Sequence, residues 1–324
     1  MNQSPQQRAL ITGIAGFVGG FLAEHLLASG DAVLGAAAEG QWEPNSSASI
    51  RSRVELIAWN LGRETGLSAQ ARRRIEAFQP SAVYHLAALS VPDDCGREDP
   101  SPGAVAVNVE GTRRVVELAA RLHARLLFIS SAKVYAPVGV GSPRVTETAP
   151  LGPRTAYGRT KLAGEDIVGA AVARGDCGAV IVRAFQHTGP RQSRRMMLPE
   201  WACQFASKQA GPVEVRTRDA VVDLSDVRDV VRAYRLVMER GQPGSVYNVG
   251  SGRPIRSGEV LELLRRLAGP ERPIHETRPG PKQDPIADTT RLRQQTGWQP
   301  QVPLEQTVAD TWTYWREVCR ASGS

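Results

Sequence analysis

Short apolar runs rich in β-branched residues alternate with helical stretches along the first half of this chain. The runs lie at residues 9–12, 32–35, 54–57, 82–85 and 126–130. Between them, apolar residues recur every three or four positions, which indicates amphipathic helices. Alternation of this kind is typical of parallel β-α-β units, with helices on both faces of the sheet. The sequence therefore predicts an α/β fold with a doubly wound parallel sheet, whose ligands bind beyond the carboxyl ends of the strands.

Three glycines follow the first apolar run and open the first helical stretch. Gly13, Gly16 and Gly19 stand in the pattern Thr-Gly-x-x-Gly-x-x-Gly. Without side chains in the way, backbone N–H groups and the positive end of a helix can approach a pyrophosphate closely. Their position after the first strand predicts a dinucleotide site of the Rossmann type.

The regular alternation ends after a strand predicted at residues 179–183, where proline, arginine and glycine become frequent. We expect residues 1–183 to form the dinucleotide-binding domain. Residues 184–324 are expected to form mainly a smaller mixed α/β substrate-binding lobe, with some segments returning to the first domain. Helices are predicted at 18–29, 68–78, 107–122, 156–173, 227–238, 257–267 and 304–319, and an exposed loop at 41–53.

The end of the second strand normally separates the two nicotinamide coenzymes, because an acidic residue there binds the ribose 2′-hydroxyl and repels a 2′-phosphate. This chain has alanines at positions 36–38, and Arg51 or Arg53 can reach back toward that point. NADP or NAD is therefore expected, with a slight preference for NADP. Asn60, after the third strand, is predicted either to bond the adenine amino group or to cap its own loop.

Tyr157 and Lys161 stand one helical turn apart in a predicted helix. A tyrosine has a reference pKa of about 10 and is a poor base at neutral pH, unless a nearby cation favours its phenolate. Lys161 is therefore expected to lower the pKa of Tyr157, so that the phenol can exchange a proton with a substrate. This pair predicts chemistry and not binding alone.

Composition narrows the class of partner. The formal net charge is +7 and nearly all the cations are arginines, whose planar groups suit phosphates. An anionic small molecule would be attracted by this charge, although a solvated basic surface is the preferred interpretation for most of these arginines. No basic stripe with interleaved aromatics suggests nucleic acid. No apolar run or signal-peptide region indicates a membrane partner or export, so a cytoplasmic protein is expected. The four cysteines have neither paired nor metal-ligand spacing, so no disulfide and no metal site is predicted.

Five motifs together resemble the extended short-chain dehydrogenase/reductase family, which contains nucleotide-sugar epimerases, dehydratases and 4-keto reductases. Besides the glycine pattern and Tyr157-x-x-x-Lys161, they are His85-Leu-Ala-Ala88, Asn108-Val-x-Gly111-Thr112 and Ser130-Ser-Ala-Lys-Val-Tyr135. They occur in the family's order and spacing, and the resemblance covers nearly the whole chain. It implies an NAD(P)-dependent oxidoreductase with a nucleotide-sugar substrate.

The resemblance implies a role for each matching residue. Tyr157 is the acid/base, Lys161 holds the nicotinamide ribose and tunes the phenol, and Ser131 hydrogen-bonds the reacting oxygen. Asn108 is expected to order the helix near the active site, and His85 to be a packed strand-end residue. The implied coenzyme contacts are Gly13, Gly16, Phe17, Val18, Gly19, Asn60, Leu61, Leu86, Ala87, Ala88, Asn108, Tyr157 and Lys161. The implied substrate contacts are Ser90, Lys133, Gln186, His187, Arg191, Arg216 and Arg278.

The residues after Ser131 separate the chemistries within the family. A 4,6-dehydratase has an aspartate and a glutamate there, whereas this chain has Ala132 and Lys133. Alanine cannot donate a proton, and lysine at its usual pKa of about 10.4 is a reluctant base, so elimination is disfavoured. The segments after Arg183 look most like GDP-4-keto-6-deoxy-mannose reductases. The favoured function is therefore NAD(P)-dependent reduction of a nucleotide-linked 4-keto-6-deoxyhexose.

Other functions stay open at this level. The same three residues serve a nucleotide-sugar 4-epimerase, which keeps its NAD bound and returns the hydride to the other face. A 4,6-dehydratase and a protein that binds the coenzyme without turnover are less favoured. The resemblance also implies a homodimer, in which the helices of Asn108 and Tyr157 pair with their symmetry mates in a four-helix bundle.

Overall fold

The computed structural model describes residues 6–44, 46–139, 141, 143–207, 211–269 and 272–321. Its strands are β1 (Arg8–Thr12), β2 (Ala32–Ala37), β3 (Glu55–Ala58), β4 (Ala82–His85), β5 (Arg125–Ser131), β6 (Arg144–Val145), β7 (Ala179–Ala184), β8 (Gln186–Thr188), β9 (Val213–Val215), β10 (Ala220–Asp226), β11 (Val246–Val249), β12 (Pro254–Arg256), β13 (Ile274–Glu276), β14 (Lys282–Gln283) and β15 (Ile286–Ala287).

The helices follow the strands in regular alternation through the first half of the chain. They are α1 (Phe17–Ala28), α2 (Ala48–Arg51), α3 (Ala69–Phe78), α4 (Pro92–Cys95), α5 (Pro102–Ala104), α6 (Gly111–Arg121), α7 (Ala156–Ala173), α8 (Met197–Ala206), α9 (Val227–Arg240), α10 (Ser257–Ala268), α11 (Thr290–Thr296) and α12 (Leu304–Ala321). A π-helical turn at Val105–Glu110 precedes α6, and a 3₁₀ turn at Ala132–Val134 follows β5.

Seven parallel strands form the main sheet in the order β11-β7-β5-β4-β1-β2-β3. The chain moves outward from β1 in one direction through β2 and β3 and in the other through β4, β5 and β7. Ligands of open α/β sheets bind at such a reversal, beyond the carboxyl ends of the strands. The predicted α/β class is confirmed, and each predicted strand lies within two residues of an observed one.

Helices cover both faces of this sheet. Tyr84 and Leu127 pack toward α1 and α9 on one face, whereas Val83, Leu126 and Phe128 pack toward α3, α6 and α7 on the other. Neighbouring residues of one strand therefore enter different cores, which explains why the strands are apolar throughout rather than alternating.

The second half of the chain builds a further core from α8, α10, α12 and the strands β9, β10 and β12. Two of its segments also return to the main sheet: β11 pairs with β7, and α9 packs beside α1. The division of the chain at residue 183 stays a prediction. None of the helices in the described residues has the length and apolarity that a membrane span requires.

Two sequence predictions need correction. The segment 41–53 is not simply an exposed loop, because it contains the short helix α2, in which Ile50 is fully buried against α1. Ser47 caps this helix by accepting a hydrogen bond from Ser49 N. The helix predicted at 107–122 starts instead with the wider π-helical turn, which carries Asn108.

The position of Leu10 gives a test of the core. Replacing this fully buried strand residue by alanine removes apolar contacts and leaves a cavity, so Leu10→Ala should lower the free energy of unfolding by about 2–5 kcal/mol in a denaturant titration. The matched control is Leu267→Ala, at a leucine that is 45% exposed, with an expected change of at most about 0.5 kcal/mol. Equal effects at both positions would contradict the burial described here.

Candidate active site

The glycine turn between β1 and α1 forms a cradle that only small residues can line. Gly13 has a φ of +74°, and a Cβ atom there would lie 2.7 Å from Ala87 N. A Cβ atom on Gly19 would collide with the carbonyl oxygen of Gly13. Gly16 caps the helix without any side-chain hydrogen bond, so the N–H groups of the first turn remain open. This cradle fits the pyrophosphate of a dinucleotide.

The sequence prediction overlooked a carboxylate just after strand β2. Glu39 follows the end of β2 by two residues, and its Oε1 accepts a hydrogen bond of 3.5 Å from Asn60 Nδ2. It also follows Gly19 by about 20 residues, the usual spacing of the acidic group that binds the ribose 2′-hydroxyl. The alanines at positions 36–38 are therefore followed directly by an acidic residue, which the inferred slight preference for NADP did not take into account.

Of the three other candidates for the adenosine end, Arg53 is exposed, whereas Arg51 and Asn60 are engaged in local structure. Arg51 donates to the carbonyl oxygens of Glu43, Pro44 and Ser46 at 2.8–3.1 Å, so it holds its own loop and does not reach back. Asn60 Oδ1 accepts from Gly62 N at 3.0 Å, which is the loop-capping alternative. Both contacts turn these side chains toward the backbone near them.

Helix α7 positions Tyr157 and Lys161. Thr155 caps the helix by accepting a hydrogen bond of 3.0 Å from Gly158 N, which places Tyr157 in the first turn. Lys161 lies one turn later, where it is only 3% exposed, and its Nζ donates to the carbonyl oxygen of Ile129 at 2.8 Å. The same Nζ lies 5.8 Å from the centroid of the Tyr157 ring.

The expected lowering of the Tyr157 pKa is not found. Burial raises the pKa of Tyr157 well above its usual value, with a further contribution from Cys95, and a hydrogen bond with Ser131 only partly opposes this. Burial also lowers the pKa of Lys161 to about 8, although Cys95 and Glu165 act in the opposite direction. Loss of hydration is thus the largest influence on the pKa of both side chains.

Ser131 ends strand β5 next to these groups. Its Cα pairs with that of Ala184 on β7, and its Oγ accepts from Lys133 N at 3.2 Å. Because Ser131 also hydrogen-bonds Tyr157, the structure brings the three predicted catalytic residues to one edge of the sheet.

The buried side chains of Asn108 and His85 form hydrogen bonds near this edge of the sheet. Asn108 accepts from Leu89 N at 2.8 Å and donates to Leu89 O at 2.9 Å and to Thr160 Oγ1 at 3.0 Å. It therefore ties the segment after β4 to α7, close to Leu86, Ala87 and Ala88. His85 is buried between Thr12 and Thr112, and burial lowers its pKa to about 3, so it stays neutral.

Lys133 and Gln186 meet at a buried carboxylate from the second half of the chain. Lys133 Nζ lies 3.2 Å from Asp284 Oδ1, and Gln186 Nε2 donates to Asp284 Oδ2 at 2.5 Å. Lys282 Nζ contacts the same Oδ2 at 3.0 Å. Although burial opposes it, the charge of Lys133 and Lys282 holds the pKa of Asp284 below its usual value. Asp284 thus joins the 3₁₀ turn after β5, strand β8 and strand β14.

The structure places Arg191 away from the predicted substrate contacts. Its guanidinium binds both carboxylate oxygens of Glu24 on α1, at 2.8 and 2.7 Å, and lies 3.8 Å from the Phe21 ring centroid. Nearby, the His187 ring stacks on Phe17 with centroids 6.2 Å apart. Arg191 therefore attaches its segment to α1, the helix that begins at the glycine cradle. Its guanidinium is engaged by Glu24, so this geometry does not support a contact with a substrate phosphate.

The remaining substrate candidates lie at the surface. Arg278 N donates to Arg216 O at 2.8 Å, so these two exposed arginines are neighbours on the second core. Ser90 is exposed just after the segment held by Asn108. Glu39 could have been found from its distance to the glycines, whereas no local pattern marks Asp284.

Comparison with known proteins identifies relatives along almost the whole chain. The model of the NAD dependent epimerase/dehydratase family matches residues 9–250. A GDP-6-deoxy-D-mannose reductase from Pseudomonas aeruginosa is 29% identical over 97% of this chain and 99% of its own. A UDP-glucose 4-epimerase from Mycolicibacterium smegmatis is 31% identical over 95% of this chain and 98% of its own.

A solved structure shares the same architecture. RMD from Pseudomonas aeruginosa, complexed with NADPH, superposes with a TM-score of 0.80 and 26% identity, over 96% of this chain and all of that chain. The resemblance inferred from the motifs is therefore confirmed at the level of the family.

Two glycines of α1 provide a matched test of the cradle. Gly19→Ala should weaken dinucleotide binding at least about tenfold, measured by coenzyme fluorescence titration, because the added methyl group forces the turn apart. Gly20→Ala should bind normally, because its Cβ atom would make ordinary van der Waals contacts with Ile50 Cδ1 at 3.7 Å and Ile14 O at 4.0 Å. Normal binding by Gly19→Ala would show that the pyrophosphate lies elsewhere.

Proposed function

Because this chain belongs to the NAD dependent epimerase/dehydratase family, we propose that it is an NAD(P)-dependent reductase of a nucleotide-linked 4-keto-6-deoxyhexose. The proposal rests chiefly on the meeting of Ser131, Tyr157 and Lys161 beside the glycine cradle, without the acidic pair that elimination would need. Similarity to a GDP-6-deoxy-D-mannose reductase over nearly the full length of both chains supports the sugar class.

The protonation states of the site suit reduction. A bound nicotinamide coenzyme supplies a hydride. Tyr157, whose pKa is raised by burial, keeps its proton at neutral pH and can give it to a carbonyl oxygen that gains negative charge. Ser131 donates a second hydrogen bond to that oxygen. Lys161, with a pKa of about 8, remains mostly protonated and stabilises the phenolate left behind.

Elimination of water is disfavoured by the residues after Ser131. Ala132 has no group that can exchange a proton, and Lys133 is held by Asp284 at 3.2 Å. A lysine ammonium already carries its proton, so it cannot accept one from a substrate carbon as the base of an elimination must.

A nucleotide-sugar 4-epimerase is the second candidate. The same three residues can both remove and return a proton at the C4 oxygen, and the 31% identical relative is a UDP-glucose 4-epimerase. An epimerase must keep its coenzyme through the reaction cycle. Stoichiometric NAD retained after purification, together with no net coenzyme oxidation, would favour this candidate over the reductase.

The decisive assay follows coenzyme absorbance with GDP-4-keto-6-deoxy-mannose as substrate. The wild-type protein should oxidise NADH or NADPH, and Tyr157→Phe should lower kcat by about 10²–10⁴ while coenzyme binding is kept, because only the proton donor is lost. Failure of the wild-type protein to reduce this or related keto sugars would overturn the proposal. Undiminished turnover by Tyr157→Phe would exclude the phenol as the acid.

Coenzyme preference gives a second test. Glu39 lies where a ribose 2′-phosphate would meet negative charge, so we expect NADH to be favoured, opposite to the slight NADP preference inferred from the alanines. Glu39→Ala should raise kcat/KM for NADPH relative to NADH about tenfold, or about 1.4 kcal/mol. The control is Glu43→Ala, an exposed carboxylate in the adjoining loop, which should leave the ratio unchanged. A wild-type preference for NADPH would refute the role of Glu39.

We also propose a homodimer in which α6 and α7 pair with their symmetry mates. A groove between these helices is lined by Arg113, Val116, Ile167 and Ala170, and the small residues Gly169 and Ala170 are exposed on α7. Light scattering should give twice the chain mass, and Ala170→Arg should give a monomer because its long charged side chain blocks close helix contact. A wild-type monomer would rule out this assembly.

A further inference from the structure

A buried carboxylate one turn beyond Lys161 joins the catalytic helix to two strands of the main sheet. Glu165 is 7% exposed, and its Oε1 accepts from Ser130 Oγ at 2.5 Å. Both of its oxygens also accept from Arg183 on β7, with Nη2 to Oε2 at 2.7 Å and Nε to Oε1 at 3.0 Å. Arg183 is itself 4% exposed. A carboxylate in such a place needs this full set of partners, because an unpaired buried charge is costly.

The partners of Glu165 are neighbours in register. Ser130 on β5 and Arg183 on β7 are Cα partners, and the next pair along the ladder is Ser131 with Ala184. Glu165 therefore binds the strand pair one residue before Ser131. On the helix, it lies eight residues after Tyr157, on the same face. The carboxylate thus fixes the distance between the helix that carries Tyr157 and the strand that carries Ser131.

Arg183 is held firmly on its other side. Its Nη1 donates to Glu147 O at 2.9 Å, and its Cζ lies 4.9 Å from the centroid of the Tyr135 ring. The Tyr135 hydroxyl donates in turn to Asn248 Oδ1 at 2.6 Å, on β11. Glu165 consequently contacts a rigid part of the sheet and not a mobile surface side chain.

Glu165 also supplies charge to the site. The titratable groups that face Lys161 are Tyr157 and Glu165 on its own helix, Cys95 on α4 and His85 on β4. At neutral pH three of these are uncharged, because burial raises the pKa of Tyr157 and of Cys95 and lowers that of His85. Cys95 acts to raise the pKa of Lys161 as well, and Glu165 is the carboxylate, among the described residues that face Lys161, whose charge favours its ammonium form.

We propose that Glu165 is a positioning residue of the reaction, which holds α7 against the strand of Ser131 and keeps the buried Lys161 protonated. It touches neither the phenol nor a substrate, and it acts through Ser130, Arg183 and Lys161. The substrate-dependent part of this inference rests on the proposed function, whereas the protonation of Lys161 does not.

The direct test is the titration of Lys161 in the full-length protein without substrate. The chain has four lysines, so ¹³C labelling at lysine Cε gives few resonances, and Lys161→Met assigns the relevant one. We expect Lys161 to titrate near pH 8 in the wild-type protein, and about one pH unit lower in Glu165→Gln. Asp166→Asn removes an exposed carboxylate from the adjacent position and should leave the midpoint unchanged. An unchanged midpoint in Glu165→Gln would overturn the proposal.

A double variant keeps the test informative if Glu165→Gln does not fold. Glu165→Gln leaves the buried Arg183 without its carboxylate partner and can unfold the protein, whereas the double variant Glu165→Gln with Arg183→Met removes both charges together. The double variant should show the same lowered midpoint. A double variant that folds and titrates like the wild type would contradict a role for the carboxylate.

Kinetics separate the positioning role from a merely structural one. With a substrate that the wild type reduces, Glu165→Gln should lower kcat about tenfold or more with little change in coenzyme affinity, and should move the alkaline limb of the kcat profile to lower pH. Glu165→Asp keeps the charge but is one methylene shorter, so it should retain the wild-type limb while losing kcat. If Glu165→Gln only lowers the amount of active protein, and the alkaline limb of its kcat profile stays at the wild-type pH, the proposal is overturned. If the wild type reduces no keto sugar, the reductase proposal fails, and the titration still decides the role of Glu165.

Discussion

Burial of the Lys161 ammonium group, in the second turn of α7, is the constraint on which this site depends. A buried cation needs an acceptor and a compensating charge, and here Ile129 O and Glu165 provide them. Ile129 lies near the carboxyl end of β5, and Glu165 binds Ser130 at the same end. These two contacts fix the position of α7 along the strand. That placement brings Tyr157 to Ser131. Burial also removes water from around the Tyr157 phenol and raises its pKa, so that the phenol is protonated at neutral pH. A protonated phenol suits a reaction in which it donates a proton.

Polar contacts reinforce the attachment of the second half of the chain, in addition to the pairing of β11 with β7 and the packing of α9 beside α1. Asp223, on β10, accepts hydrogen bonds from Ser251 N, Gly252 N and Ala287 N at 2.7–3.0 Å, and so gathers three separate segments. Arg191 fastens the turn after β8 to α1.

Local sequence signals predict the parts of the molecule that local physics determines. The strand Ala82–His85 and the helix Ala156–Ala173 have the predicted bounds, since apolar periodicity and the Thr155 cap define both. The ion pair of Glu165 with Arg183 joins residues 18 apart in sequence, and Asp284 meets Gln186 across 98 residues, so no local pattern marks either contact. For the same reason the pKa of Tyr157 was expected to fall: spacing along a helix shows that a lysine is near, but it does not show how little water remains.

The central claim is that hydride reaches a sugar carbonyl at this site while Tyr157 gives the proton. Mass spectrometry of the product formed with coenzyme deuterated at the transferred position of nicotinamide C4 tests it most directly. The account predicts one deuterium in each product molecule, located at sugar C4. A product without deuterium, formed in the presence of the labelled coenzyme, would contradict it.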